Sequence, residues 1–143
     1  KTVLEDTLEM FYLDKISLKD QNELKATYAP LIKKEDGNIR WEEASSVILR
    51  KIRAFNPWPS AYTTISIKGE KKLLKILEAE ELRNYHSNGN TGEVVSILKD
   101  KGFIIKGGKG FVLIKRVRLE GKSSCNAYAF CLGARLSIGD KFL

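Results

Sequence analysis

The stretch Gly107-Gly108-Lys109-Gly110 is the most phosphate-loop-like pattern in the chain. Side-chain-free backbone N–H groups can cradle an anion, and a lysine beside them adds charge. A true P-loop needs GxxxxGK[ST] opening a helix. That spacing is absent, and a β-branched run follows, so a hairpin turn is expected. His86 stands in the polar loop "RNYHSNGN" with no cysteine or histidine partner and no nucleophile pattern near it. Cys125 and Cys131 lie six residues apart on a predicted helix. About 240° of rotation separates them, so reduced thiols in a cytoplasmic protein are expected. No paired carboxylates, triad or metal-ligating cluster is legible. The expected catalytic set is none, and the expected metal set is none.

The chemistry that is legible is charge. Residues 1–40 carry 7 basic and 8 acidic side chains, whereas residues 41–143 carry 18 basic and 10 acidic, net +8. Residues 99–122 alone reach net +6. A basic half of this kind faces a polyanion. The alternative is an ordinary solvated surface. The candidate polyanion-binding residues are Lys115, Arg116, Arg118, Lys122, Lys106, Lys109 and Arg53.

These residues need elements to hold them. "VLEDTLEMFYL" (3–13) sets Leu4, Leu8 and Phe11 on one helical stripe, with Thr2 as N-cap and Glu5 as its capping-box partner. Residues 17–40 are polar and turn-rich and read as an extended linker, or as a long surface loop of one domain. "WEEASSVILRKIRAF" (41–55) reads as the clearest helix, with Trp41, Ala44, Ile48, Ile52 and Phe55 on its apolar face. In "NPWP" each proline drives the residue before it out of the helical region. The helix should therefore stop at about Phe55, with Trp58 closing a core at the corner.

Beyond the corner, "AYTTISI", "KLLKILEAEEL", "VVSIL", "FIIKG" and "FVLIKRVRL" alternate with turns. The expected fold is mainly β with flanking helices, a small OB-like β-barrel. In "FVLIKRVRL" simple alternation places Phe111, Leu113, Lys115 and Val117 on one face and Val112, Ile114, Arg116 and Arg118 on the other. Charge on both faces from Lys115 onward predicts that the strand leaves the barrel or bulges there. "SSCNAYAFCLGARL" returns to helix, capped by Ser124 or Asn126 and ended by Gly133. Hydrophobic residues make up 43% of the chain, yet no run approaches the 18 apolar residues of a membrane span. "KTVLEDTLEM" lacks the apolar core of a signal peptide, and the chain reads as a fragment of a longer one.

The segment "TYAPLIKKEDGNIRWEEASSVILRKIRAFNPWPSAYT" resembles the methionyl-tRNA formyltransferase family. The likeness rests on Thr27, Tyr28, Ala29, Pro30, Asp36, Gly37, Ile39 and Trp41, on Ile52 through Pro59, and on Ala61, Tyr62 and Thr63. The closing "LEGKSSCNAYAFCLGARLSIGDKF" is similar at Glu120, Gly121, Lys122, Ala127, Phe130, Gly133, Arg135, Leu136, Gly139, Asp140 and Phe142. It departs from the family at Leu119, Ser123, Ser124, Cys125, Asn126, Leu132 and Ile138.

The resemblance implies a division. Residues 1–16 would be the last helix of an N-terminal formyltransferase domain, 17–40 the interdomain linker, and 41–143 the OB-like C-terminal domain. It implies a cytoplasmic monomer with initiator methionyl-tRNA as partner, held by its backbone. It also implies 10-formyltetrahydrofolate as the whole enzyme's cofactor, bound outside this chain. The equivalent accessory domain of a nucleotide-sugar formyltransferase, or of a formyltetrahydrofolate hydrolase or dehydrogenase, is the alternative.

Overall fold

The structure, a computed structural model, describes residues 2–143. It divides into two compact units at Leu31/Ile32. The first contains helix α1 (Thr2–Tyr12), none of whose residues is buried, and a short 3-10 turn at Glu23–Lys25. Asn22 caps that turn by accepting from the Leu24 amide at 3.0 Å.

The second unit contains a 3-10 turn at Lys34–Gly37, α2 (Ser45–Phe55), β1 (Ala61–Ile67), β2 (Glu70–Glu81), β3 (Val94–Leu98), β4 (Gly102–Lys106), β5 (Phe111–Leu119), β6 (Ser124–Asn126) and α3 (Ala127–Ala134). It begins ahead of residue 41, where composition places the domain edge. Ile39 is buried, its amide donates to the Tyr62 carbonyl at 2.8 Å, and Asn38 bridges to Tyr62. The end of the polar segment is therefore part of the sheet's packing.

The strands form one antiparallel sheet in the order β1-β2-β5-β4-β3, with β6 on β5. The path has two edges, β1 and β3, and the C-terminal residues bond to both sides. Leu143 exchanges backbone hydrogen bonds with Thr64, while Phe142 donates to Gly92 and Val94 donates to Asp140. Phe142 thereby enters the core, stacked on Phe103 at 5.6 Å between ring centroids. Ile48 and Ile52 of α2 and Phe130 and Cys131 of α3 fill the same interior with Leu74, Ile76, Ile105, Val112, Ile114 and Val117. These side chains explain why both helices lie on the sheet: each buries its apolar stripe there.

Three local expectations change. Trp41 is buried, but α2 starts at Ser45, not at residue 41. The glycine loop takes the backbone groups of the turn before the helix. Gly108 N–H donates to the Trp41 carbonyl at 2.7 Å, and Ser45 N–H donates to the Lys109 carbonyl at 2.8 Å. A Cβ on Gly108 would lie 1.9 Å from the Glu42 carbonyl oxygen, so only glycine allows this approach. Trp58, expected to close the core, is 64% exposed. Ala61, first residue of β1, is fully buried instead. The α3 helix runs through Gly133, and the left-handed residue is Arg135 (φ 55°). That turn lets Leu136 be buried and donate to the Cys131 carbonyl at 2.9 Å.

The hairpin expected around "KDKG" is present as β3–β4, with Leu98 opposite Gly102. β5 has the bounds expected from its sequence, but its faces are not those of strict alternation. Val117 shares the core with Val112 and Ile114, while Phe111 and Leu113 join a second cluster with Val95 and Ile104. The pairing with β2 shifts on either side of Glu78, which stands opposite Arg116. This irregularity rotates the end of β5 by one residue, as a bulge does. It lies where the charge begins, as the sequence leads one to expect.

Candidate nucleic-acid interface

The β2–β5 register determines where the cations of β5 stand. Lys115 is ion-paired with Glu80. Arg116 is bound at 3.2 Å by Glu78 Oε1 and donates to Ser124 Oγ at 3.2 Å. The hydrogen bond from Lys115, and then its charge, hold the Glu80 carboxyl below its usual range. These pairs line a depression of about 710 Å³ with Leu82, Leu98 and Leu113, whose other charged groups are Asp100 and Lys101. Two of the expected RNA contacts thus already have carboxylate partners.

Arg118 is placed differently. It stands directly opposite Lys75 in the β2–β5 ladder. Like charges directly opposite each other destabilise a sheet. Lys34, Lys75, Arg118 and Lys122 line one depression of about 390 Å³, with Glu120 its single carboxylate. None of these four cations has an ion-pair partner among the described residues. The row Tyr62–Lys75–Arg118 runs across three strands. Its inward neighbours Ala61, Ile76 and Val117 are buried, so this row faces outward. Lys34 joins the row because its turn sits against β1: a Cβ on Gly37 would lie 2.3 Å from the Ser60 carbonyl oxygen and 3.3 Å from the Tyr62 ring.

The remaining candidates are dispersed. Lys106 lies 4.7 Å over the Phe111 ring centroid. Lys109 is exposed, and its carbonyl serves the start of α2. Arg53 lines a separate depression of about 440 Å³ with Arg50, Arg83, Glu80 and Glu81. The structure therefore brings Arg118 and Lys122 together and separates them from Lys115, Arg116, Lys106, Lys109 and Arg53. Sequence reasoning missed Lys34 and Lys75. Lys75 was legible as an outward position of "KLLKILEAEE", but its neighbour across the sheet was not.

No group of three or more His, Cys, Asp or Glu side chains suited to a metal ion is found among the described residues. The Cys131 thiol is pushed up to about 12 by burial and is not a ready nucleophile. Among the described residues no helix is long and apolar enough to cross a membrane.

The class defined by this geometry is a small antiparallel β domain, flanked by helices, with an outward-facing cation cluster. The chain belongs to the formyl transferase, C-terminal domain family, which matches residues 31–135. It is 41% identical to a methionyl-tRNA formyltransferase of Methylacidiphilum infernorum over 93% of its own length and 41% of the relative's. It is 37% identical to that of Moorella thermoacetica, covering 96% of this chain and 42% of the relative. It thus spans about two fifths of the length of these relatives. In three dimensions it is similar to HypX from Aquifex aeolicus in complex with tetrahydrofolic acid. That match has a TM-score of 0.60 and 19% identity over 96% of this chain and 23% of the other. At that identity the likeness is one of fold.

Proposed function

We propose that this chain is the tRNA-binding C-terminal part of a methionyl-tRNA formyltransferase, the enzyme that formylates initiator methionyl-tRNA for translation initiation in the cytoplasm. In this reading residues 1–16 are the last helix of the catalytic domain and 17–40 the linker, whose end from Ile32 onward packs with the OB-like accessory domain of residues 41–143. The 10-formyltetrahydrofolate site and the chemistry of transfer lie in the catalytic domain. The accessory domain grips phosphates, which orients the substrate without reading its sequence. That remote binding energy positions the aminoacyl end for reaction.

One observation carries the reading. Lys75 and Arg118 oppose each other across the sheet, with Lys34 and Lys122 around the same depression. A polyanion relieves the repulsion that the register creates. The test is affinity for initiator and elongator tRNA against salt concentration, for the chain and for Lys75→Gln/Arg118→Gln. The double variant should bind both tRNAs more weakly, and its salt dependence should flatten by roughly 0.7–0.9 for each phosphate that is no longer neutralised. Unchanged affinity with an unchanged slope would remove the cluster from the interface. Assayed alone with methionyl-tRNA and 10-formyltetrahydrofolate, the chain should give no turnover above background.

A further inference from the structure

Trp58 is an exposed indole on a fixed mount. Its flanks are held by the fold. Asn56 Nδ2 donates to the Leu77 carbonyl at 3.0 Å, and Ser60 N–H donates to the Phe55 carbonyl at 2.8 Å. Ser60 Oγ donates to the Pro57 carbonyl at 2.8 Å, and Pro59 and Ser60 are buried. Ser60 takes a left-handed φ of 73°, so the chain reverses sharply there into β1. The indole between these anchors remains 64% exposed, whereas Trp41, the other tryptophan, is 2% exposed.

The mount leads along β1 toward the cation cluster. Ser60 leads directly into Ala61, which pairs with Ile76, and the next rung is Tyr62 with Lys75, itself opposite Arg118. The Lys34 turn rests on Ser60 and Tyr62. Four residues of chain from Trp58 to Tyr62 span at most about 14 Å. Adjacent strands are about 4.8 Å apart, so the Trp58 backbone lies within roughly 19 Å of Lys75 and roughly 24 Å of Arg118, a few nucleotides of RNA backbone.

We propose that Trp58 is a stacking platform for an unpaired base of the bound RNA, with the adjoining phosphates held by Lys34, Lys75, Arg118 and Lys122. This deepens the tRNA-binding reading and rests on it. Unpaired RNA is bound by aromatic faces that stack its bases beside cations that track its backbone. A rigid indole loses little freedom on binding, and every base offers it a π-face. The charge around the mount selects a polyanion over an apolar protein surface.

The probes are a single-stranded oligouridylate, an RNA duplex with the same number of phosphates, and tRNA, each titrated into the full chain while tryptophan emission is read. Trp41 supplies a constant buried signal. Single-stranded RNA and tRNA should quench the exposed component, and the duplex should leave it unchanged. Trp58→Leu should lose the quenching, weaken single-strand binding roughly 5- to 100-fold and leave duplex binding unchanged. Trp58→Phe should restore part of the affinity. An unchanged melting temperature would show that both variants fold. Undiminished RNA binding by Trp58→Leu, together with weakened binding by Lys75→Gln/Arg118→Gln, would overturn the stacking site and leave the tRNA reading standing. Absence of any tRNA binding by the wild-type chain would overturn both. Emission that responds to a relative's catalytic domain and not to RNA would assign the indole to a protein contact and overturn the proposal.

Discussion

The indole Nε1 of Trp41 donates to Thr63 Oγ1 at 3.0 Å, and that hydroxyl in turn donates to the Leu143 carbonyl at 2.8 Å. This short chain of bonds ties the turn before α2 to β1 and to the C-terminal residues. The Trp41–Thr63 bond is buried, and the Thr63–Leu143 bond is partly so. A buried aromatic with a satisfied N–H both fills the core and fixes its own orientation.

Trp41→Ala should therefore cost roughly 3–5 kcal/mol, the range for truncating a large buried aromatic. Trp41→Phe keeps most of the volume but loses the hydrogen bond, and should cost roughly 1–3 kcal/mol. Denaturant unfolding of the two variants measures both. A loss below about 1 kcal/mol for the alanine variant would contradict the burial.

Lys75 should show opposite effects on stability and on binding. Lys75→Gln removes one of two cations that face each other across β2 and β5. It should stabilise the fold by roughly 0.2–1 kcal/mol while weakening tRNA binding. Thermal melting and filter binding on the same preparation check the two signs. A variant that melts lower would show that Lys75 contributes through an interaction other than charge.

Glu78 and Glu80 should act as restraints on RNA binding. They hold Arg116 and Lys115, which would otherwise add positive charge to the same sheet face. Glu78→Gln/Glu80→Gln should raise tRNA affinity and steepen its salt dependence. Lys115→Gln/Arg116→Gln should weaken binding less than Lys75→Gln/Arg118→Gln does. Salt titrations of the three double variants give the order. Equal losses for the two cation pairs would mean that the carboxylates release their partners on binding.

The Cys131 thiol should set part of the alkaline limit of stability. Its proton is retained to about 12 in the fold, against 9.0 for a free thiol. Between those values the unfolded chain binds fewer protons than the folded one, so stability falls as pH rises through that window. Below about pH 9 both states are protonated and the stabilising difference is fully present. Cys131→Ala removes this contribution, so its melting temperature should decline less steeply than the wild type's from pH 9 to 11. At pH 8, iodoacetamide should label half-buried Cys125 and spare buried Cys131. Parallel pH slopes for the two proteins would show that the thiol does not titrate in this way.

The sequence by itself determined the elements whose signals are local. α1 follows from its apolar stripe, the β3–β4 hairpin from "KDKG", and the bounds of β5 from a β-branched run between turns. Asn126 caps α3 as its position suggested, accepting from the Tyr128 amide at 2.7 Å. The resemblance carried by "RAFNPWP" agrees with the family to which the chain belongs. Charge was legible only as a sum. Its arrangement was decided by strand register, which pairs residues more than thirty positions apart and cannot be read from spacing along one strand. Register gave Arg116 to Glu78 and set Arg118 against Lys75, and the shift beside Glu78 left Lys115 without a ladder partner, ion-paired with Glu80. The shift beside Glu78 turned Val117 inward, where period-two alternation had grouped it with Lys115. Tertiary packing likewise decided the two tryptophans. Gly108 bonds the Trp41 carbonyl ahead of the helix, and the corner buries Pro59, Ser60 and Ala61 while leaving Trp58 exposed. Both outcomes depend on backbone groups distant in sequence meeting at hydrogen-bond distance, and only the folded chain brings them together.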